Sequence, residues 1–393
     1  MSLSPPGAAP PSRLMQVDVL RGAAILLVLF RHDVVPSYQA GILAPLVRHL
    51  YYFSATGIDL FFVLSGFLIG GLLFKEVRST GRLDVRRFLV RRILRIWPGY
   101  FVFLGFLAVR LARRGDYTLQ SALGAIVPNL LHLQNYLGSP RGITWSLAVQ
   151  EHFYLVLPLF ILLLVCGRRP RPSLIAIPIT AAFLTIACTA MRVAFNWNRP
   201  YVMWTHLTPT HLRIDSLFFG VLLAYLYHLH HSLLAAVGRY RATLLAIGAA
   251  MIAPALFIDE GSIPFSWTIA YTLLYFGYGC ILVAFIFSSP DRGILGRTLA
   301  SRVAAGLAYV GVFTYSIYLW HYDLGWMTVH NYLLRRLPHG PAELYWAAGM
   351  ASYFVLAIAV GILMAKLIEV PVIHLRDRLL PARATAVRSS ERV

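Results

Sequence analysis

Apolar positions in this chain come in long unbroken runs. They show neither the alternation of a half-buried strand nor the single stripe of a surface helix. Runs at 20–30, 58–74, 153–166, 173–191, 242–258, 265–287 and 344–368 hold almost no charge, and those at 99–112, 211–231 and 303–320 are more aromatic and interrupted. A bilayer core about 30 Å thick is crossed by such runs as helices, because backbone in lipid must satisfy its own hydrogen bonds. The pattern predicts an all-α integral membrane protein of about ten transmembrane helices, with no internal repeat.

One segment breaks this pattern. From Asp84 to Pro98, Val85, Phe88, Leu89 and Ile96 line one face at helical spacing, among five arginines. This predicts a cytoplasmic interfacial amphipathic helix, with Asp84 as its N-cap and Pro98 as a stop or kink before the next span. Anionic headgroups account for Arg86, Arg87 and Arg91. Arg92 falls in the middle of the apolar face and Arg95 at its edge. An inward pair of this kind calls for an anion, either a phosphorylated ligand or an internal carboxylate.

Composition changes the picture in two ways. At 58% hydrophobic and 13% charged, the chain is too apolar for a soluble globular protein. Its formal charge of +19 would suggest nucleic acid in a soluble protein. Here the arginines gather in alternate connections, so the excess reads as topology and nucleic acid is not expected. The positive-inside rule then places both termini in the cytoplasm, with Arg110, Arg113 and Arg114 against the trend. Residues 1–15 read as a disordered cytoplasmic tail without the features of a signal peptide. Residues 16–375 read as one membrane domain and 376–393 as a basic cytoplasmic tail. Cys166, Cys188 and Cys280 lie in or beside apolar helices and suggest neither a disulfide framework nor a metal site.

Ionisable groups inside apolar runs are candidates for function. Arg21 and His32 are eleven residues apart, which puts them on one helix face about 16 Å apart. Asp18 lies one turn before Arg21, and interfacial anchoring is the competing account of both residues. Glu151, with Tyr154 one turn along, falls within a span. Arg213 and Asp215 begin another span, as a functional pair or a self-satisfied structural one. His321 ends the aromatic stretch Tyr315-Ser-Ile-Tyr-Leu-Trp-His321, as a functional group or within an aromatic belt. The expected topology gathers His32, Glu151, Arg213, Asp215 and His321 in the outer half, with Arg92 and Arg95 at the inner mouth.

Together these motifs resemble the acyltransferase family 3 proteins, integral-membrane O-acyltransferases, over nearly the whole chain. Arg21 and His32 match the family's Arg-x10-His signature, and Gly57-Ile-Asp-Leu-Phe-Phe-Val-Leu-Ser-Gly-Phe-Leu-Ile69 its second-helix motif. Arg92-Ile-Leu-Arg95 matches its Arg-x-x-Arg element. Thr144-Trp-Ser-Leu-Ala-Val149 with Glu151-His-Phe-Tyr154, Arg213-Ile-Asp215 with Gly220, and the stretch ending at His321 complete the set. Val19, Gln150, His152 and Asp323 depart from the usual pattern.

The resemblance implies transfer of an acyl group, usually acetyl, from coenzyme A to a hydroxyl, often on a saccharide of the bacterial envelope, at the inner membrane. It implies Arg92 and Arg95, helped by Arg21, as ligands of the donor phosphates, and His32 as general base or transient acyl carrier. Glu151 would orient or charge-stabilise, and Ser65 and Tyr154 would donate to the thioester oxygen. Arg213, Asp215 and His321 complete the expected binding set, and no metal is expected. From another class, a proton-coupled transporter or flippase would use His32, Glu151 and His321 as a relay.

Overall fold

In the computed structural model, residues 14–113, 117–165, 174–288, 293–336 and 340–380 are described. The tails over 1–13 and 381–393, Cys166, and the arginines Arg114, Arg168, Arg169, Arg171 and Arg292 lie outside them. Among the described residues the chain is helical and holds no strand. Helix α1 (Met15–Arg31) leads through α2 (Ala44–Ser54) into α3 (Gly57–Thr80) and α4 (Val85–Arg113). Next come α5 (Leu119–Leu130), α6 (Trp145–Val165), α7 (Ala176–Asn196), α8 (Ile214–Leu229) and α9 (His231–Gly238). The chain continues through α10 (Arg241–Ile252), α11 (Ile269–Ile286), α12 (Arg302–Val312), α13 (Thr314–Trp320), α14 (Ala342–Met364) and α15 (Val370–Leu379).

Among the described residues, the expected ten spans become six helices long and apolar enough to cross a membrane, or up to eight when two bent pairs each count once. One pair joins α8 and α9 at 107°, and the other joins α12 to Thr314–Arg336 at 66°. Helix α1 has only 17 residues, and the apolar helix over Arg241–Leu256 is also short.

The amphipathic helix is not a separate element. It forms the first half of α4, which runs through Pro98 without a break. Asp84 does cap it, its carboxylate accepting from the Arg87 amide at 3.0 Å. Pro98 removes an amide from the ladder, and the turn ahead of it is held from outside. The Tyr315 hydroxyl donates to the Ile96 carbonyl at 2.9 Å.

Among the crossings that bring backbones into contact, two are made by reciprocal glycines. Helix α3 meets α8 at Gly66 and Gly220: a Cβ on Gly66 would lie 1.9 Å from the Leu217 carbonyl oxygen, and one on Gly220 2.2 Å from that of Val63. Helix α1 meets α12 at Gly22 and Gly311 in the same way. Small residues are what allow such approach between apolar helices. Gly66→Ala is therefore expected to destabilise the fold by about 1–3 kcal/mol through overpacking. Thermal unfolding in detergent measures this, and a parent-like Tm would show that the crossing can open without cost.

Candidate active site

A cavity of about 470 Å³ lies among α1, α3, α4, α6 and α13. Its wall carries Arg21, Lys75, Arg92 and Arg95, together with Asp18 and Glu151. The guanidinium of Arg92 lies over the rings of Phe88 and Tyr154, at 5.7 and 5.5 Å. That is the inward orientation its place on the apolar face requires, and Arg95 is one turn further along the same wall. Arg21 is fixed from two sides, 3.6 Å from the Asp18 carboxylate and donating to the Thr314 hydroxyl at 2.8 Å. Thr314 begins α13, so this bond sits at the bend between α12 and α13.

Ser65 and Tyr154 also line the cavity, and the Tyr154 hydroxyl donates to Gln150 at 3.3 Å. Glu151 joins the arginines and not His32: it faces the same cavity and accepts from the Trp97 indole at 3.3 Å. The spacing of α6 could show that Glu151 lies in a span, but not which neighbouring helix it faces.

The cavity floor is formed by Ser146 and Tyr318, whose hydroxyls are 2.7 Å apart. Tyr318 also donates to the Ile143 carbonyl. Just past this floor lies His321, with Nδ1 2.6 Å from the Tyr318 carbonyl and Nε2 3.3 Å from Nδ1 of His32. His32 is the residue that closes α1, and its Nδ1 is also 2.9 Å from the Val28 carbonyl. Of the two α1 residues singled out in the sequence, Arg21 lines the cavity and His32 does not.

Arg213 and Asp215 are placed differently from the expected pair. Each is 1% exposed, and they do not pair with each other, since residues two apart on a helix point to different sides. Arg213 reaches Asp59 of α3 at 2.5 Å and lies 3.8 Å over the Tyr271 ring. Asp215 binds Arg192 of α7 at 2.8 Å. This buried network joins α3, α7, α8 and α11 away from the cavity.

Sequence reasoning missed Lys75, Trp97, Ser146, Thr314 and Tyr318. Tyr318 and Ser146 stood inside recognised motifs without a role, and the others carried no signal short of tertiary packing. Asp323, one of the departures from the family pattern, accepts Arg110 at 2.9 Å and Arg141 at 2.6 Å, with its carboxylate wholly buried. It answers the positive charge that Arg110 placed against the topology. Among the described residues, no group of three or more His, Cys, Asp or Glu side chains is arranged to hold a metal ion.

Fold and site define a polytopic helical membrane protein built around a cation-lined cavity that ends next to a pair of histidines. The chain belongs to the acyltransferase family whose model, an acyltransferase domain, matches residues 16–366. The chain is similar to a putative peptidoglycan O-acetyltransferase YrhL of Bacillus subtilis, 26% identical over 313 residues, which are 72% of this chain and 46% of that protein. It is also similar to the peptidoglycan O-acetyltransferase OatA of Listeria monocytogenes, 24% identical over 326 residues, 78% of this chain and 49% of the relative. The O-acetyltransferase OatA of Staphylococcus aureus is 24% identical over 339 residues, 80% and 51% of the two chains. The chain thus spans about half the length of these relatives. No solved structure matches it.

Proposed function

We propose that the protein is a membrane-bound O-acetyltransferase that moves an acetyl group from acetyl-coenzyme A to a saccharide hydroxyl, with peptidoglycan strands the leading acceptor. The observation that carries this reading is one cavity with Arg21, Arg92 and Arg95 on its wall and a histidine just beyond its floor. Guanidinium groups suit phosphate, and an imidazole suits proton transfer. The donor enters from the cytoplasmic face of a bacterial inner membrane, phosphates on the arginines and thioester toward Tyr318. Ser65 and Tyr154 supply hydrogen bonds along its path.

In the transfer step His32 Nε2 takes the proton of the acceptor hydroxyl while that oxygen bonds to the acyl carbon. The carbon–sulfur bond breaks, and the thiolate leaves and recovers the proton from the imidazolium. Hydrogen-bond donors near the carbonyl oxygen steady the charge that collects there. In the two-step variant His32 carries the acetyl group between donor and acceptor.

The test is release of coenzyme A from labelled acetyl-coenzyme A by purified protein supplied with peptidoglycan strands. Full activity in correctly inserted His32→Ala and Arg95→Ala variants would refute the assignment. Arg95→Ala by itself is expected to weaken the donor. A charge-assisted hydrogen bond contributes about 1.5–3 kcal/mol, so the Kd for acetyl-coenzyme A should rise by about 10- to 100-fold. Ligand titration by thermal shift reads this directly, and an unchanged Kd would place the phosphates elsewhere.

A further inference from the structure

We infer that His321 is the positioning residue of His32: it takes the hydrogen bond of His32 Nδ1, so that the ring presents Nε2 as its proton acceptor. The inference rests on the reading of His32 as general base and deepens it. A carbonyl oxygen only accepts, so the 2.6 Å contact with the Tyr318 carbonyl places a hydrogen on His321 Nδ1. In the neutral ring the lone pair is then on Nε2, the atom 3.3 Å from His32 Nδ1. His32 Nδ1 also faces the Val28 carbonyl at 2.9 Å. Both neighbours accept, so Nδ1 of His32 carries hydrogen and Nε2 is left to receive a proton.

Exposure divides the two rings. His321 is 0% exposed, whereas His32 is partly open. With both nitrogens of His321 engaged within the protein, no ring nitrogen of it remains for a substrate. The centroids are 5.0 Å apart and the planes cross at 49°, so His321 also limits the tilt of His32. The local backbone favours this arrangement. Helix α13 opens into a π-helix over His321–Trp326, a rare widening that recurs at functional sites. The first residue of the widened turn is His321 itself, three positions beyond the carbonyl that holds it. When Nε2 of His32 gains a proton, the bond from Nδ1 to His321 becomes charge-assisted and stronger, which favours the transfer step over the resting state.

The experiment compares His321→Gln, His321→Leu and His32→Gln in the full chain, using acetyl-coenzyme A and peptidoglycan strands as probes. Glutamine can donate to Tyr318 and accept from His32, and leucine can do neither. His321→Leu should lower kcat by about 10- to 100-fold, the scale of a misplaced reacting group. KM and Kd for acetyl-coenzyme A should stay near the parent values, and His321→Gln should recover most of kcat. Added to His32→Gln, His321→Leu should cause no further loss. A parent-like kcat in the leucine variant, an equal loss in the glutamine variant, or multiplied losses in the double variant would each overturn the inference. If His321→Leu does not fold, the glutamine variant still decides, because it must retain kcat. Full activity in His32→Gln would instead overturn the base reading itself.

Discussion

His32→Ala is expected to lower kcat for acetyl transfer by about 10²- to 10⁴-fold, the usual contribution of a general base, with little change in the Kd for acetyl-coenzyme A. The reason is spatial. His32 lies beyond the Ser146–Tyr318 floor and is not part of the cavity wall where the donor's anionic groups would bind. Removing its ring leaves Arg21, Arg92 and Arg95 in place, so binding and chemistry should separate. Stopped reactions analysed by mass spectrometry divide the two roles open to His32. An acetylated histidine peptide that forms before product supports the acyl carrier, and its absence at every time point supports direct transfer. A His32→Ala protein with raised Kd and unchanged kcat would move His32 from the chemistry to the binding of the donor.

Asp323→Ala is expected to destabilise the fold by about 3–5 kcal/mol, the cost of stripping a buried ion pair of one partner. The carboxylate is wholly buried between Arg110 of α4 and Arg141 ahead of α6, which retain 21% and 12% exposure. Its loss leaves two guanidinium groups facing each other with no anion between them. Arg141 would also keep its place over the Tyr322 ring, 5.3 Å away, with no carboxylate to balance it. Yield of monodisperse protein and Tm in detergent report the effect. Replacing Asp323, Arg110 and Arg141 together by apolar residues should recover much of the loss, because a buried ion cluster contributes little net stability compared with good packing. A parent-like Tm for Asp323→Ala would show that water reaches the cluster.

Local physics made much of this legible in the sequence. The apolar runs announced an all-helical chain, and Asp84 announced the start of α4. The place of Arg92 on an apolar face predicted that it would turn inward. What the sequence lacked was the direction in which each helix face looks. Glu151 could be placed in a span but not against Trp97. Arg213 and Asp215 looked like a pair, yet their partners are 154 and 23 positions away, Asp59 and Arg192. Pro98 pointed to a stop or kink, whereas α4 runs through it, with the Tyr315 hydroxyl, 219 positions on, bonded to the turn ahead of it. Asp323 read only as a departure from a motif, because its two arginines come from distant parts of the chain.

The continuity of α4 through Pro98 also sets a depth. Its 29 residues make a rod about 43 Å long, against a hydrocarbon layer of about 30 Å. Some 13 Å of it must therefore stand outside the lipid or be taken up by tilt. Arg86, Arg87 and Arg91 occupy the first two turns, where headgroups would meet them. Arg92 follows about 10 Å from the helix start, so if the excess length stands at this end the two inward arginines would meet the border where hydrocarbon begins. The thickness of the host bilayer would then become part of the geometry of the proposed donor site: a mismatch that tilts α4 would move both guanidinium groups together.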